Sequence, residues 1–228
     1  SVPVHIDSST HFALTKVART CGASLFMVMQ AAWALFLSGL GECSDVVFAT
    51  SIAGRDDPAL DDLVGSFADD VLLRVMVDPK LSFAELVSRV RLAALGAYAH
   101  PDISNPRLQR HFGARGPFFQ VQFIMQPGRP PVDLDIDGLR ITSHPIAIDV
   151  SKHEFEFGLS DHYDANGAPA GIAGWCVYSV DLFDKATARR IVDTFLDVLV
   201  AISRGTPYAA AESLMRTASR AALFDGTA

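Results

Sequence analysis

Apolar positions recur along this chain in two periods, and the alternation between them predicts its elements. Phe12, Leu14, Val17 and Ala18 return at helical spacing until Cys21 and Gly22, with the hydroxyls of Ser8, Ser9 and Thr10 as candidate N-caps. Ser24 then caps a helix through Leu37 that is apolar nearly all round, a pattern that predicts burial between layers, with Ser38 and Gly39 as its stop. The β-branched run from Val46 to Ser51 predicts a buried strand, and the segment from Gly54 to Pro58 is turn chemistry, followed by a short helical turn from Ala59 to Leu63. A second strand is predicted from Val71 to Val77. Ser82 and Glu85 have the spacing of a capping box and open a helix to Tyr98. The Pro-, Arg- and His-rich stretch from His100 to Pro117 predicts irregular loop.

Further on, Phe118 to Met125 alternates with polar Gln120 and Gln122, as a strand with one wet or functional face would. Three more strands are predicted at Leu139–Ser143, Glu154–Ser160 and Gly171–Tyr178. Asp184 caps a long helix from Lys185 to about Arg204 whose Ile191, Phe195, Val198, Leu199 and Ile202 share a face, with Gly205 at the C-cap position. Strands interleaved with helices in this way imply a two-layer α/β or α+β structure with one mixed β-sheet. Residues 1–205 are expected to form that unit, and residues 206–228, Ala-rich and weakly periodic, an exit segment with a short docking helix near Leu214.

Composition narrows the function. With 228 residues, half of them hydrophobic, there is material for a sizeable core. A formal charge of −7 argues against a nucleic-acid partner, which demands a cationic surface. The apolar run from Leu25 to Leu37 is shorter than the ~20 residues of a membrane span and is interrupted by Gln30. Cys21, Cys43 and Cys176 are odd in number and far apart, so neither a disulfide framework nor a metal or redox pair is expected, and the implied compartment is the reducing cytoplasm. The start at Ser1 shows no secretory pattern and is that expected of a chain beginning inside a longer one. The segment from Asp161 to Gly167 hints at a calcium loop, but the first carboxylate and the bidentate Glu are missing, and a plain turn is the reading.

Several segments, in order, resemble the C-terminal half of condensation domains from nonribosomal peptide synthetases. Ala23 to Ser38 looks like the family's buried helix, and Asp45 to Arg55 is similar to its strand and Ala-Gly-Arg turn. Val64 to Arg74 sits where the family writes Val-Gly-x-Phe-Val-Asn-Thr with a downstream Arg, and Tyr98 to Asp102 where it writes His-Gln-Asp. Phe118 to Val121 resembles its Pro-Leu-Phe-Gln-Val strand, and Tyr178 to Asp184 its last strand and helix cap; Ser213 to Phe224 looks like the way out toward a following module. The resemblance implies a chloramphenicol acetyltransferase-like lobe, one half of a two-lobed protein with a substrate tunnel between its halves. It implies amide formation, in which the amine of an acceptor thioester attacks a donor thioester, both delivered on phosphopantetheine arms of peptidyl carrier proteins. No cofactor would be bound directly.

The family's catalytic His-His-x-x-x-Asp-Gly motif belongs to the other lobe. None of the seven histidines here is adjacent to another or has Asp four residues on, so the resemblance implies no catalytic residue and no metal ligand in this chain, and an N-terminal lobe as obligatory partner. Ala68, Asp69 and Asp70 replace the usual Val, Asn and Thr, placing two carboxylates in a tunnel-side stretch. Two readings therefore stand: a lobe of an active condensation domain, or an inactive X-type relative that recruits a tailoring oxygenase or a carrier protein; a freestanding adaptor is a third. Ser66, Phe67, Ala68, Asp69, Asp70, Gln120 and Gln122 are the tunnel candidates, although Asp69 and Asp70 also fit a solvated turn and the glutamines ordinary packing. Arg55, Gly65, His100 and Asp102 are candidates for holding loops. Arg107, Arg110 and Arg115 offer local positive potential to an acidic carrier, or are simply solvated.

Overall fold

The computed structural model describes residues 1–55, 57–101, 103, 105–113, 118–128, 135–136, 139–140 and 150–205; the exit segment, Asp102 and Arg115 lie outside them. Strand β1 (Val2–Ile6) leads to helices α1 (Ser8–Thr20) and α2 (Leu25–Leu40), then β2 (Asp45–Ile52), a 3-10 turn at Pro58–Leu60, β3 (Asp69–Met76), α3 (Phe83–Tyr98) and α4 (Asn105–Phe112). After β4 (Val121–Pro127) and the short pair β5 (Asp135–Ile136) and β6 (Leu139–Arg140) come β7 (Phe155–Tyr163), β8 (Pro169–Tyr178) and α5 (Lys185–Ser203). One mixed sheet has the order β1-β8-β7-β4-β2-β3, parallel at β2–β4 and β4–β7 and antiparallel elsewhere.

Alternation along each strand divides the sheet into two faces. Val4, Phe48, Leu73, Phe123, Phe157 and Leu159 point to one face, in a single core with Leu14 of α1, Trp33 of α2, Leu86 of α3 and Phe195 of α5. Helix α2 lies at its centre, buried on nearly every side as its composition predicts. The Trp33 ring lies 4.7–5.4 Å from those of Phe36, Phe123, Phe157 and Phe195, joining two helices to two strands. The other face carries Asp70, Leu72 and Arg74 of β3, Val47 and Ser51 of β2, Gln122 and Ile124 of β4, and Glu156 of β7; among the described residues α4 is the helix that lies over part of it. No described helix is long and apolar enough to cross a membrane.

Three expectations need correction, and one element is additional. Asp7, rather than the following hydroxyls, caps α1, its carboxylate accepting from the Thr10 amide at 2.8 Å. Helix α2 runs past Ser38 and Gly39 to a cap at Gly41, because Gly39 is buried within the helix. Strand β1 was not anticipated: its Val2, Val4 and Ile6 alternate inward while Pro3 sits on the sheet edge, where a missing N–H is tolerated. Helix α4 replaces predicted loop. Pro106 lies in its first turn, where proline breaks no hydrogen bond, and Leu108 and Phe112, one turn apart, line a groove with Val47 and Leu72.

Candidate functional site

The approach to the site is built by one loop. Gly54 follows β2 at φ +65°, and a Cβ there would lie 1.9 Å from the Phe67 carbonyl oxygen, so the close return of the chain requires glycine. Arg55 donates to the carbonyl of Leu60 and, at 2.9 Å, to that of Leu63, while its guanidinium stands 4.3 Å over the Phe67 ring. The segment from Gly65 to Ala68 is thereby folded back to the start of β3, and Gly65 packs against the Phe67 ring.

At the end of this segment lies a cleft of about 330 Å³ lined by Ser51, Ser66, Ala68, Asp69, Asp70, Gln122, Ile124, Lys152 and Glu156. Cross-strand register places Asp70 opposite Ser51, and Gln122 opposite Glu156. One oxygen of the Asp70 carboxylate, Oδ1, accepts hydrogen bonds from Ser51 Oγ and from Gln122 Nε2, both at 2.7 Å; Gln122 Nε2 also lies 3.2 Å from Ser51 Oγ. The Gln122 side chain is only 4 % exposed, so its amide must be bonded to be tolerated there. Asp69 is exposed, and its carboxylate accepts from the Asp70 amide at 2.8 Å.

Five of the seven tunnel candidates thus meet: Ser66, Ala68, Asp69, Asp70 and Gln122. Phe67 is turned onto Arg55 instead. Gln120 precedes β4, is exposed, and borders neighbouring hollows with Phe118, Phe119 and His153, because the two phenylalanines are drawn aside before the strand begins: Phe118 onto Phe112 and Phe119 onto His153. His100 is exposed after α3, far in sequence from the cleft, and Arg107 and Arg110 are exposed on α4. Sequence reasoning missed Ser51, Lys152 and Glu156. Ser51 and Glu156 follow from strand alternation once the register is known; Lys152 lies in a loop and carries no such signal.

Among the described residues no histidine lines the cleft, and no group of His, Cys, Asp and Glu is placed to hold a metal. Ser51 is bonded to a carboxylate with no imidazole beside it among the described residues, so the arrangement can orient a polar group but offers no nucleophile–base pair there. The described histidine deepest in the fold, His11, instead accepts the Gly171 amide at Nδ1 (3.2 Å) and faces Tyr163; burial holds its pKa below the usual histidine value.

A family model described as Condensation domain matches residues 1–224. The chain belongs to the condensation-domain family. Its sequence is 34% identical over 203 residues to the "Probable non-canonical nonribosomal peptide synthetase (NRPS) CymA" of Salinispora arenicola, covering 87% of this chain and 2% of that protein. In structure it is similar to the X-domain in its complex with OxyB from teicoplanin biosynthesis, with TM-score 0.82 and 24% identity over 91% of this chain and 46% of that one. The first condensation domain of the CDA synthetase superposes with TM-score 0.73 and 20% identity, again over 91% of this chain and 46% of that one. The chain therefore spans about half of these solved domains and a small fraction of the synthetase. The mixed sheet with helices packed on it is the chloramphenicol acetyltransferase-like condensation-domain fold.

Proposed function

We propose that residues 1–205 form the C-terminal lobe of a nonribosomal peptide synthetase condensation domain and supply one wall of the tunnel in which carrier-bound thioesters are joined through an amide bond. One observation carries the reading. The helices α1, α2, α3 and α5 cover one face of the sheet, whereas the opposite face bears the cleft and its ordered Ser51–Asp70–Gln122 network, as a wall that faces a substrate space requires. The acceptor amine attacks the donor thioester within that space. The imidazole that assists it comes from the N-terminal lobe, since no His-His-x-x-x-Asp-Gly is encoded here. Both substrates arrive on phosphopantetheine arms, and Arg107 and Arg110 on α4, with Arg115 beyond it, offer positive charge to an acidic carrier protein. Residues 206–228 lead toward a following module.

The test is assembly. Co-expressed with an N-terminal lobe carrying the His motif, the chain should form a one-to-one complex that Ile124→Asp, a charge on the cleft face, disrupts. A complex of unchanged affinity in that variant would refute the reading.

A second reading, an X-type domain that recruits an oxygenase, is favoured by the better superposition on the teicoplanin X-domain than on the CDA condensation domain and by the two carboxylates at Asp69 and Asp70. Pull-down of a cytochrome oxygenase by the two-lobed protein, with no amide product from loaded carriers, would select it.

A further inference from the structure

Ser51 and Gln122 both bond the same oxygen of Asp70, and this asymmetry gives the cleft a direction. Oδ1 is saturated by two donors at 2.7 Å, whereas Oδ2 has no protein partner among the described residues. Asp70 is half-buried, and its two partners come from β2 and β4, so the carboxylate is fixed by three strands of one sheet rather than by a flexible surface contact. A fixed carboxylate with one free oxygen is a preorganised acceptor, and it requires no rotamer ordering when a donor arrives. Among the described residues the charge around it is one-sided: Asp69, Asp70 and Glu156 line the cleft against the single ammonium of Lys152. A cavity of about 330 Å³ matches a group the size of an amino-acid side chain better than a whole peptide.

We infer that the free Oδ2 of Asp70 receives a cationic nitrogen of the acceptor substrate, with Ser51 and Gln122 as positioning residues that hold the carboxylate toward it. This deepens the tunnel-wall reading by naming the chemistry the wall selects: an ammonium group, from either the α-amine, which docks protonated and gives its proton to the imidazole of the N-terminal lobe before it attacks, or a basic side chain of an aminoacyl thioester. A charge-assisted N–H···O bond to an oriented carboxylate discriminates against an uncharged analogue of the same shape because the analogue leaves Oδ2 and the cleft's excess negative charge unanswered.

The experiment measures binding to this full chain, not turnover, so its failure leaves the lobe assignment standing and loss of lobe assembly leaves it interpretable. Four N-acetylcysteamine thioesters are titrated by calorimetry: alanyl, N-acetylalanyl, ornithyl and Nα-acetylornithyl. At least one ammonium-bearing thioester should bind ten-fold or more tighter than N-acetylalanyl. Tight alanyl binding identifies the α-amine as the source, and tight Nα-acetylornithyl binding identifies the side chain. The nearly isosteric Asp70→Asn should abolish the discrimination, and Gln122→Met should reduce it several-fold while Asp69→Asn retains most of it. In the unaltered chain, 0.5 M salt should also weaken the ammonium ligands and leave N-acetylalanyl unchanged, a readout independent of whether any variant folds. Equal affinity for all four thioesters, or full discrimination surviving in a folded Asp70→Asn chain, overturns the inference.

Discussion

Replacing Gln122 with Leu removes the buried donor that ties β4 to the Asp70 carboxylate on β3 while keeping a side chain of similar length in the sheet. The lost bond to a charged acceptor, 2.7 Å long in the structure, contributes about 1.5–3 kcal/mol, and the apolar surface that Leu buries returns part of it. A net destabilisation of about 1–2 kcal/mol corresponds, for a domain of this size, to a fall in Tm of roughly 2–8 °C. The decisive quantity is the coupling. Asp70→Asn keeps the shape of the acceptor but removes its charge, so in the double variant Gln122→Leu with Asp70→Asn there is no charged bond left to lose. Urea denaturation of the four chains should give a coupling energy of about 1 kcal/mol. Single effects that add to within about 0.3 kcal/mol would show that the two side chains are independent and would remove the network from the site.

Two further predictions address the frame that holds the cleft. Trp33→Ala empties the space among four phenylalanine rings and should cost about 3–5 kcal/mol, lowering Tm by more than 6 °C; a cost under about 1.5 kcal/mol would mean that the ring cluster is not the centre of the core. His11 is fully buried, its Nε2 lacks a partner among the described residues, and burial disfavours its charged form, the facing Asp161 and the neighbouring His162 acting in opposite directions. Its folded pKa therefore lies below the unfolded value near 6.5, so the native state binds fewer protons than the unfolded chain, and the stability this group contributes is complete above about pH 6.5 and lost as pH falls below it. The urea midpoint of the unaltered chain should fall more between pH 7.5 and pH 5.5 than that of His11→Gln; parallel falls would contradict this.

The core helix and most strands were readable in the sequence because their signals are local. The all-apolar α2, the capping box at Ser82 and Glu85 and the cap at Asp184 are each decided by residues a few positions apart. What escaped depends on distant partners. Strand β1 is five residues long and is stabilised by register with β8, more than 160 positions away, and α4 is short and polar, held by Leu108 and Phe112 against β2 and β3. The site divides along the same line. Asp69, Asp70 and Gln122 could be suspected from their departure from a familiar block and from strand alternation. Ser51 became visible only when the antiparallel register set it opposite Asp70, and Gln120 left the set because Phe118 and Phe119 turn aside where alternation alone would have continued the strand.

The claim beneath all of this is that the chain builds one side of a reaction space whose chemistry is supplied from the other side. It is tested most directly by offering two carrier proteins, loaded with donor and acceptor thioesters, to the purified 228-residue chain and to the same chain joined to an N-terminal lobe with an intact His motif. Mass spectrometry of the released thioesters should find amide product only with the joined lobes. Product formed at a comparable rate by the isolated chain would contradict the account.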